Sequence, residues 1–311
     1  MSYTSQIKEE ISTKENTNSE LIAELSGYIR NNSIITNNTL TITTENHFTI
    51  DRLNNILKKL YDINTKEEII ENLNFSKNNL YQLTIDNVDK LLIDIGVKDN
   101  NGKFLNNVPE YIVAANEEIR AYIRGVFLAV GSINDPKKSR YHMELLITLP
   151  QEAVFVQKLL NIFDLNAKIL NREKTYMIYI KEAEKISDFI KILGANKAVM
   201  YYEDVRVYRD QKNKTNRLNN CEQANMDKIF ETASEQLKQI QIIEDNDGVV
   251  LLDDKTKEAL EYRKKYPEAS LKELAEIISI ETGKPLTKSG INHRMRKIKE
   301  LANNFEKNKA A

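Results

Sequence analysis

The chain has 311 residues, enough for two or three domains with cores of their own, and its 41% hydrophobic and 29% charged residues are an ordinary globular balance. No window nears eighteen uninterrupted apolar residues, "MSYTSQIKEEISTKENTNSE" has no signal-peptide core, and a lone Cys221 excludes an internal disulfide framework, so a cytoplasmic chain without a membrane span is expected. Net charge is -1, with 24 Lys+Arg against 26 Asp+Glu in residues 1–200 and 21 against 20 in 201–311, which excludes a uniformly basic domain and confines any nucleic-acid surface to a local patch.

Residues 1–18 read as a flexible N-terminus. A helix follows, "SELIAELSGYIRNNSI", then an alternating strand "TLTITTEN", an amphipathic helix "TIDRLNNILKKLYDI", the strands "KEEIIENL" and "NLYQLTID", and the helix "NVDKLLIDIG". From Asn116 the order returns: a helix, the strand "YHMELLIT", the helix "QEAVFVQKLLNIF", the strands "AKILNRE" and "TYMIYIK", and the helix "EAEKISDFIKIL". Each copy is αβαββα, with room for one more strand after its first helix, so residues 19–197 are expected to form two repeats, about 19–96 and 116–195. Strands with one apolar face and helices of matching period make an α+β fold, each antiparallel sheet covered by helices.

The opening helices carry two stripes. Ile119, Tyr122, Ile123, Val126, Phe127 and Val130 form an apolar one, matched by Leu21, Leu25, Tyr28 and Ile29 in the first copy. Ala121, Gly125 and Ala129 form one of small residues, with Gly27 in the place of Gly125, which would let two helix backbones approach closely at a pseudo-twofold axis; two unrelated amphipathic helices would show the same periods.

Residues 198–243 read as a helical extension carrying Arg206, Arg209, Lys212, Lys214 and Arg217, a run able to follow a phosphate backbone or simply to be a solvated helix face. The acidic stretch 244–254 reads as a linker. In 255–305 Ser270 and Glu273 have capping-box spacing, Leu271, Leu274, Ala275 and Ile278 make one apolar face, Gly283 and Pro285 break the helix, and Ser289 is placed to start another in which Ile291, Met295, Ile298 and Leu301 point inward. This all-α pattern is a helix-turn-helix with a long turn, and 306–311 is a tail. On the last helix, with Glu300 the only acid facing out, Lys288, Ser289, Asn292 and His293 are placed to read base edges in a major groove, and Arg294, Arg296, Lys297 and Lys299 to hold the phosphate backbone; an ordinary solvated face on a helical hairpin would show the same charges.

"IRGVFLAVGSI" resembles the LAGLIDADG motif of homing endonucleases, with Gly125 and Gly131 on its two glycines, and "LSGYIRNNSI" resembles a degenerate first copy with Ser33 in place of the closing glycine. Such nucleases need one carboxylate at the foot of each helix to hold divalent metal against the scissile phosphates. The matching positions are Asn32 and Val130, an amide and a hydrocarbon; Asp135 lies further on, in a turn, where local capping beside Pro136 accounts for it. With "NRLNNCEQAN" and the helix-turn-helix behind, the chain resembles, over almost its whole length, the WhiA family of bacterial transcription regulators linked to sporulation and cell division. The resemblance implies a LAGLIDADG-like scaffold without enzymatic activity, no cofactor, promoter DNA bound by the C-terminal motif, a nucleoid-associated location, and a protein partner such as a sigma factor on the N-terminal platform.

His47, His142 and His293 are scattered and no metal spacing joins them to Cys221, which reads as a packing thiol near a helix start. "GVKDNNGK" lacks the spacing of a phosphate loop. Two other readings remain: a metal-dependent endonuclease using other acids, and an RNA-binding splicing maturase. The second is disfavoured because a recognition helix fits the wide major groove of B-DNA and not the narrow one of A-form RNA.

Overall fold

A computed structural model of the chain describes residues 1–36, 38–70 and 79–310. These fall into two compact units, residues 1–210 and 211–311.

In the first unit the residues read as a flexible start form a helix, α1 (Tyr3–Ser12), capped by Ser2, whose hydroxyl accepts from the Ser5 amide. Tyr3, Ile7 and Ile11, four residues apart, are buried, and this stripe is what holds the segment down. The Tyr3 hydroxyl donates to the Ala198 carbonyl at 2.8 Å, and Thr4 exchanges two hydrogen bonds with Ile133. A short polar segment hid a one-sided apolar face.

The two copies follow in the expected order. The first is α2 (Asn18–Asn31), β1 (Ile34–Thr36), β2 (Thr39–Thr44), α3 (His47–Tyr61), β3 (Lys66–Ile70), β4 (Leu80–Asp86) and α4 (Asp89–Asp94). The second is α5 (Asn116–Val130), β5 (Gly131–Ile133), β6 (Met143–Ile147), α6 (Pro150–Ile162), β7 (Lys168–Asn171), β8 (Tyr176–Ile180) and α7 (Ala183–Leu193). The strand expected over 66–73 is seen to Ile70; its last three residues lie outside the described ones. The sheets have the same antiparallel order, β1-β2-β4-β3 and β5-β6-β8-β7, so the extra strand after each opening helix is a real sheet edge. Register keeps the apolar residues on one face: Leu40 opposes Ile85 and Ile42 opposes Leu83, as Met143 opposes Ile180 and Leu145 opposes Ile178, all buried.

Between the copies α2 and α5 pack at backbone contact. A Cβ on Gly27 would strike the carbonyl of Tyr122, and one on Gly125 the carbonyl of Glu24, so only glycine admits this approach. The pairing of the small-residue rows is therefore a helix–helix interface, not the coincidence of two amphipathic helices.

The expected extension is part of one 49-residue helix, α8 (Asn196–Glu244), that belongs to both units. Its last turns, through Ile240 and Ile243, sit in the core of the second unit with Leu252, Ala259, Leu260, Leu274, Ala275, Ile278, Ile291, Met295, Ile298 and Ala302. The expected linker 244–254 is packed as well: a 3-10 turn spans Gly248–Leu251, and a Cβ on buried Gly248 would lie 2.5 Å from the Phe305 ring. Acidic residues made it resemble a loop, but Gly248 and Leu252 face the core. The unit is completed by α9 (Asp254–Lys265), α10 (Leu271–Thr282) and α11 (Lys288–Ala310). The last helix runs to Ala310, so residues 306–310 are helical and not a tail; Ala311 lies outside the described residues.

Candidate nucleic-acid interface

The helix-turn-helix is built from local signals. Ser270 and Glu273 form the reciprocal capping box, with the Glu273 amide donating to the Ser270 hydroxyl at 3.2 Å and the Ser270 amide to the Glu273 carboxylate at 2.8 Å. Gly283, at φ 66°, ends α10 in the left-handed conformation. The turn is fastened by Ser279, whose hydroxyl accepts from the Leu286 amide at 2.8 Å while donating to the Ala275 carbonyl at 2.7 Å. Thr287, not Ser289, starts α11: its hydroxyl accepts from the Gly290 amide and its carbonyl from that of Ile291. Both residue types suit the role, and the position of the turn decides between them. Ile291, Met295 and Ile298 are buried as expected; Leu301 is half-buried and Ala302 takes the next core position. A third helix, α9, which the sequence reading did not separate, closes the core with Ala259 and Leu260.

At 100° per residue Ser289, His293 and Arg296 stand opposite the buried line of α11, and all three are exposed. Lys288, Asn292 and Lys299 lie on one flank, exposed except for the half-buried Asn292. Arg294 and Lys297 lie on the other flank and are paired to acids of the same unit, Arg294 half-buried and Lys297 at the exposed surface. Arg294 pairs with Glu258 of α9 at 2.8 Å, and Lys297 with Asp253, the α9 N-cap, at 2.7 Å. The hydrogen bond from Lys297 and those from Thr256 hold the Asp253 carboxyl well below its usual range. No ion pair engages Lys288, Arg296 or Lys299 among the described residues. Of the four expected backbone-holding cations on α11, Arg296 and Lys299 are free and Arg294 and Lys297 are not: helical spacing shows a face, but only the third helix shows which flank is occupied.

The same division appears on α8. Arg206 pairs with Glu203, and Arg209 donates to the carbonyls of Pro136 and Ser139 and lies 4.9 Å over the Tyr141 ring. Arg209 thus fastens α8 within the first unit and Arg206 is paired along the helix itself, whereas Lys212, Lys214 and Arg217 are exposed. Cys221 is exposed in the middle of α8, not buried near a helix start, because the helix begins at Asn196.

The feet of α2 and α5 carry no acid. Asn32 donates from Nδ2 to the Tyr28 hydroxyl at 3.1 Å and the Thr43 carbonyl at 3.0 Å, Val130 packs against the core, and Ser33 returns its hydroxyl to the Ile29 carbonyl at 2.7 Å. Asp135 accepts from the Lys137 amide and the Tyr201 hydroxyl, holding its own turn. Among the described residues no group of three or more His, Cys, Asp or Glu could hold a metal ion.

The acids inside this domain are elsewhere. Glu24 of α2, 1% exposed, is clasped by Arg52 of α3 (2.8 and 3.1 Å) and by Arg124 of α5 (2.8 Å). Burial alone would push its carboxyl up, but the two guanidiniums hold it below the usual carboxylate range. The matching place in the second copy holds Tyr122 of α5, whose hydroxyl donates to Glu152 of α6. Burial pushes Glu152 up. The sequence carried a signal for the first cluster: Glu24, three residues before Gly27, and Arg124, next to Gly125, interrupt the apolar runs of the two facing helices.

Three family models cover the chain: "WhiA N-terminal LAGLIDADG-like domain" at residues 18–98, "WhiA LAGLIDADG-like domain" at 119–212 and "WhiA C-terminal HTH domain" at 215–302. A Lysinibacillus sphaericus protein named "Probable cell division protein WhiA" is 39% identical over 307 residues, 97% of this chain and 96% of its own. An Enterococcus faecalis protein of the same name is 38% identical over 315 residues, with both chains fully covered. Full-length DUF199/WhiA from Thermatoga maritima has the same fold, with a TM-score of 0.61, 22% identity and coverage of 98% of this chain and 99% of that one. No described helix is long and apolar enough to cross a membrane.

Proposed function

The chain belongs to the WhiA family, and on that premise we propose that it is a sequence-specific DNA-binding regulator of transcription with a role in cell division, whose nuclease-like domain does not cut. The observation that carries this reading is the outer face of α11, where Lys288, Ser289, Asn292, His293, Arg296 and Lys299 lie together, none in an ion pair among the described residues and with Glu300 the one acid beside them. Lys288, Ser289, Asn292 and His293, in the first turns, reach base edges, while Arg296 and Lys299 follow the phosphates. Lys212, Lys214 and Arg217 of α8 add exposed positive charge.

Two features support a non-cutting role for the first unit. Asn32 and Val130 supply no carboxylate where two would be needed. Among the described residues the sheet faces turned away from the core carry Lys66, Lys168, Arg172 against Met177 and Lys181 over Tyr179, interspersed with Glu68, Asp86 and Glu144 among threonines and apolar side chains. Such a mixed surface is not a basic saddle for a polyanion and suits a protein partner, a sigma factor among the candidates by family resemblance. The protein then acts on the nucleoid, and sporulation belongs to the role where the host sporulates.

Genome-wide mapping of DNA bound by the chain in cells tests this, with enrichment at promoters expected. Supercoiled plasmid is expected to stay intact with the purified chain in magnesium or manganese. A random distribution of bound sites, or strand breaks, would overturn the reading.

A further inference from the structure

Beside the start of α11 lies a groove of about 480 Å³ that uses a part of α8 to which the reading above gives no task. Lys228 of α8 stands on one side, Lys272 in the first turn of α10 on the other, Lys288 at the start of α11, and Arg263 of α9 at the bottom. Among the described residues no acid lines this groove.

Arg263 is the unusual member. It is 1% exposed, its Nη1 donates to the carbonyls of Tyr266 and Ala269 at 3.4 and 2.6 Å, no carboxylate reaches it, and its Nε has no partner. Burying a guanidinium without a counter-ion is costly, and two carbonyl dipoles offset only part of the charge. The remainder is felt in the groove that Arg263 lines. The start of α10 adds to it: the capping box uses the Glu273 amide, leaving the first-turn amides of Leu271 and Lys272 and the positive end of the helix dipole. Lys228 is exposed and in no ion pair among the described residues, and Lys272 makes a long, exposed ion pair with Glu276 at 3.9 Å. Four cations and a helix end thus converge here, with Glu276 beside Lys272 and the Glu273 carboxylate on the Ser270 amide offsetting only part of the charge, and Lys288 belongs both to this groove and to the reading helix.

We propose that this groove holds phosphodiester groups of one DNA strand next to the base pairs that α11 reads, which makes the Lys228 region of α8 part of the DNA-binding surface. The inference rests on the reading of α11 as a DNA-contacting helix. Only a polyanion continuous with the α11 site uses Lys288 and Lys228 together, which favours the duplex backbone over a free anion.

The test uses the full chain and a duplex selected from a random pool by the unaltered protein. Lys228→Ala and Lys272→Ala are each expected to lower the slope of log K against log salt by about 0.9, as one lost phosphate contact does, with the selected base sequence unchanged. Ethylation of individual phosphates is expected to interfere at flanking positions with the unaltered chain and no longer with Lys228→Ala. Because Lys228 is exposed, this variant keeps its fold. Binding with unchanged slope and the same interference pattern in both variants would overturn the groove proposal while leaving the α11 reading in place. Failure of the unaltered chain to select any duplex would overturn both, and equal competition by inorganic phosphate at the ionic strength of a chloride control would assign the groove to a free anion instead.

Discussion

The two units treat charge in opposite ways. In residues 1–210 Glu24, Arg52 and Arg124 are buried against one another where two helices cross, and Arg209 is tied to the Pro136 carbonyl of the same unit. In residues 211–311 Lys228, Lys288, Arg296 and Lys299 are displayed with no acid to hold them. Internal pairing fixes how elements pack, since a desolvated charge accepts only a well-placed partner; unpaired charge on a rigid helix is left for a ligand. The first unit is thus organised around its own interior and the second around its surface.

The largest expected effect breaks the interior pattern. Glu24→Ala leaves two guanidiniums uncompensated and is expected to destabilise the first unit by about 3–5 kcal/mol, measured by urea unfolding, while duplex affinity of the chain that remains folded is unchanged. Gly125→Ala drives a methyl group into the Glu24 carbonyl and is expected to cost about 1–3 kcal/mol in the same measurement. An Ala that leaves stability unchanged would mean that the helices stand further apart.

The surface pattern is sharpened by comparing neighbours on α11. Arg296→Ala is expected to lower the salt slope of duplex binding by about 0.9, whereas Arg294→Ala leaves the slope unchanged and lowers the melting temperature, because its guanidinium is held by Glu258. Equal slopes for the two variants would put both flanks of α11 against DNA. The smallest effect is one of pH. The folded carboxyl of Glu24 lies below its unfolded value, so its contribution is complete above about pH 4.3 and is lost as pH falls through the folded value. The acid limb of stability against pH is therefore expected to be shallower in Glu24→Gln than in the unaltered chain.

Periodicity revealed what local chemistry fixes. The alternation of "TLTITTEN" and "YHMELLIT" marked strands with one buried face, and Ser270 and Glu273 formed the capping box that their spacing implies. It failed where a segment is held by something distant. Residues 3–12 looked too polar to fold, yet Tyr3, Ile7 and Ile11 are buried, with Tyr3 bonded to a carbonyl 195 positions away. The stretch 244–254 looked like a linker because its acids outnumber its apolar residues, yet Gly248 and Leu252 are core.

The sequence by itself determined the repeat, the two glycines that permit close helix contact, the absence of a carboxylate at Asn32 and Val130, and the cationic character of α11, because each depends on residue type and spacing along one element. The tertiary structure alone decided that Arg294 and Lys297 are taken up by α9, that Glu24 bridges Arg52 and Arg124, and that Arg263, Lys228, Lys272 and Lys288 meet around one groove. Whether a charge is free depends on what other elements bring within a few ångströms of it, and no period along a single helix carries that information.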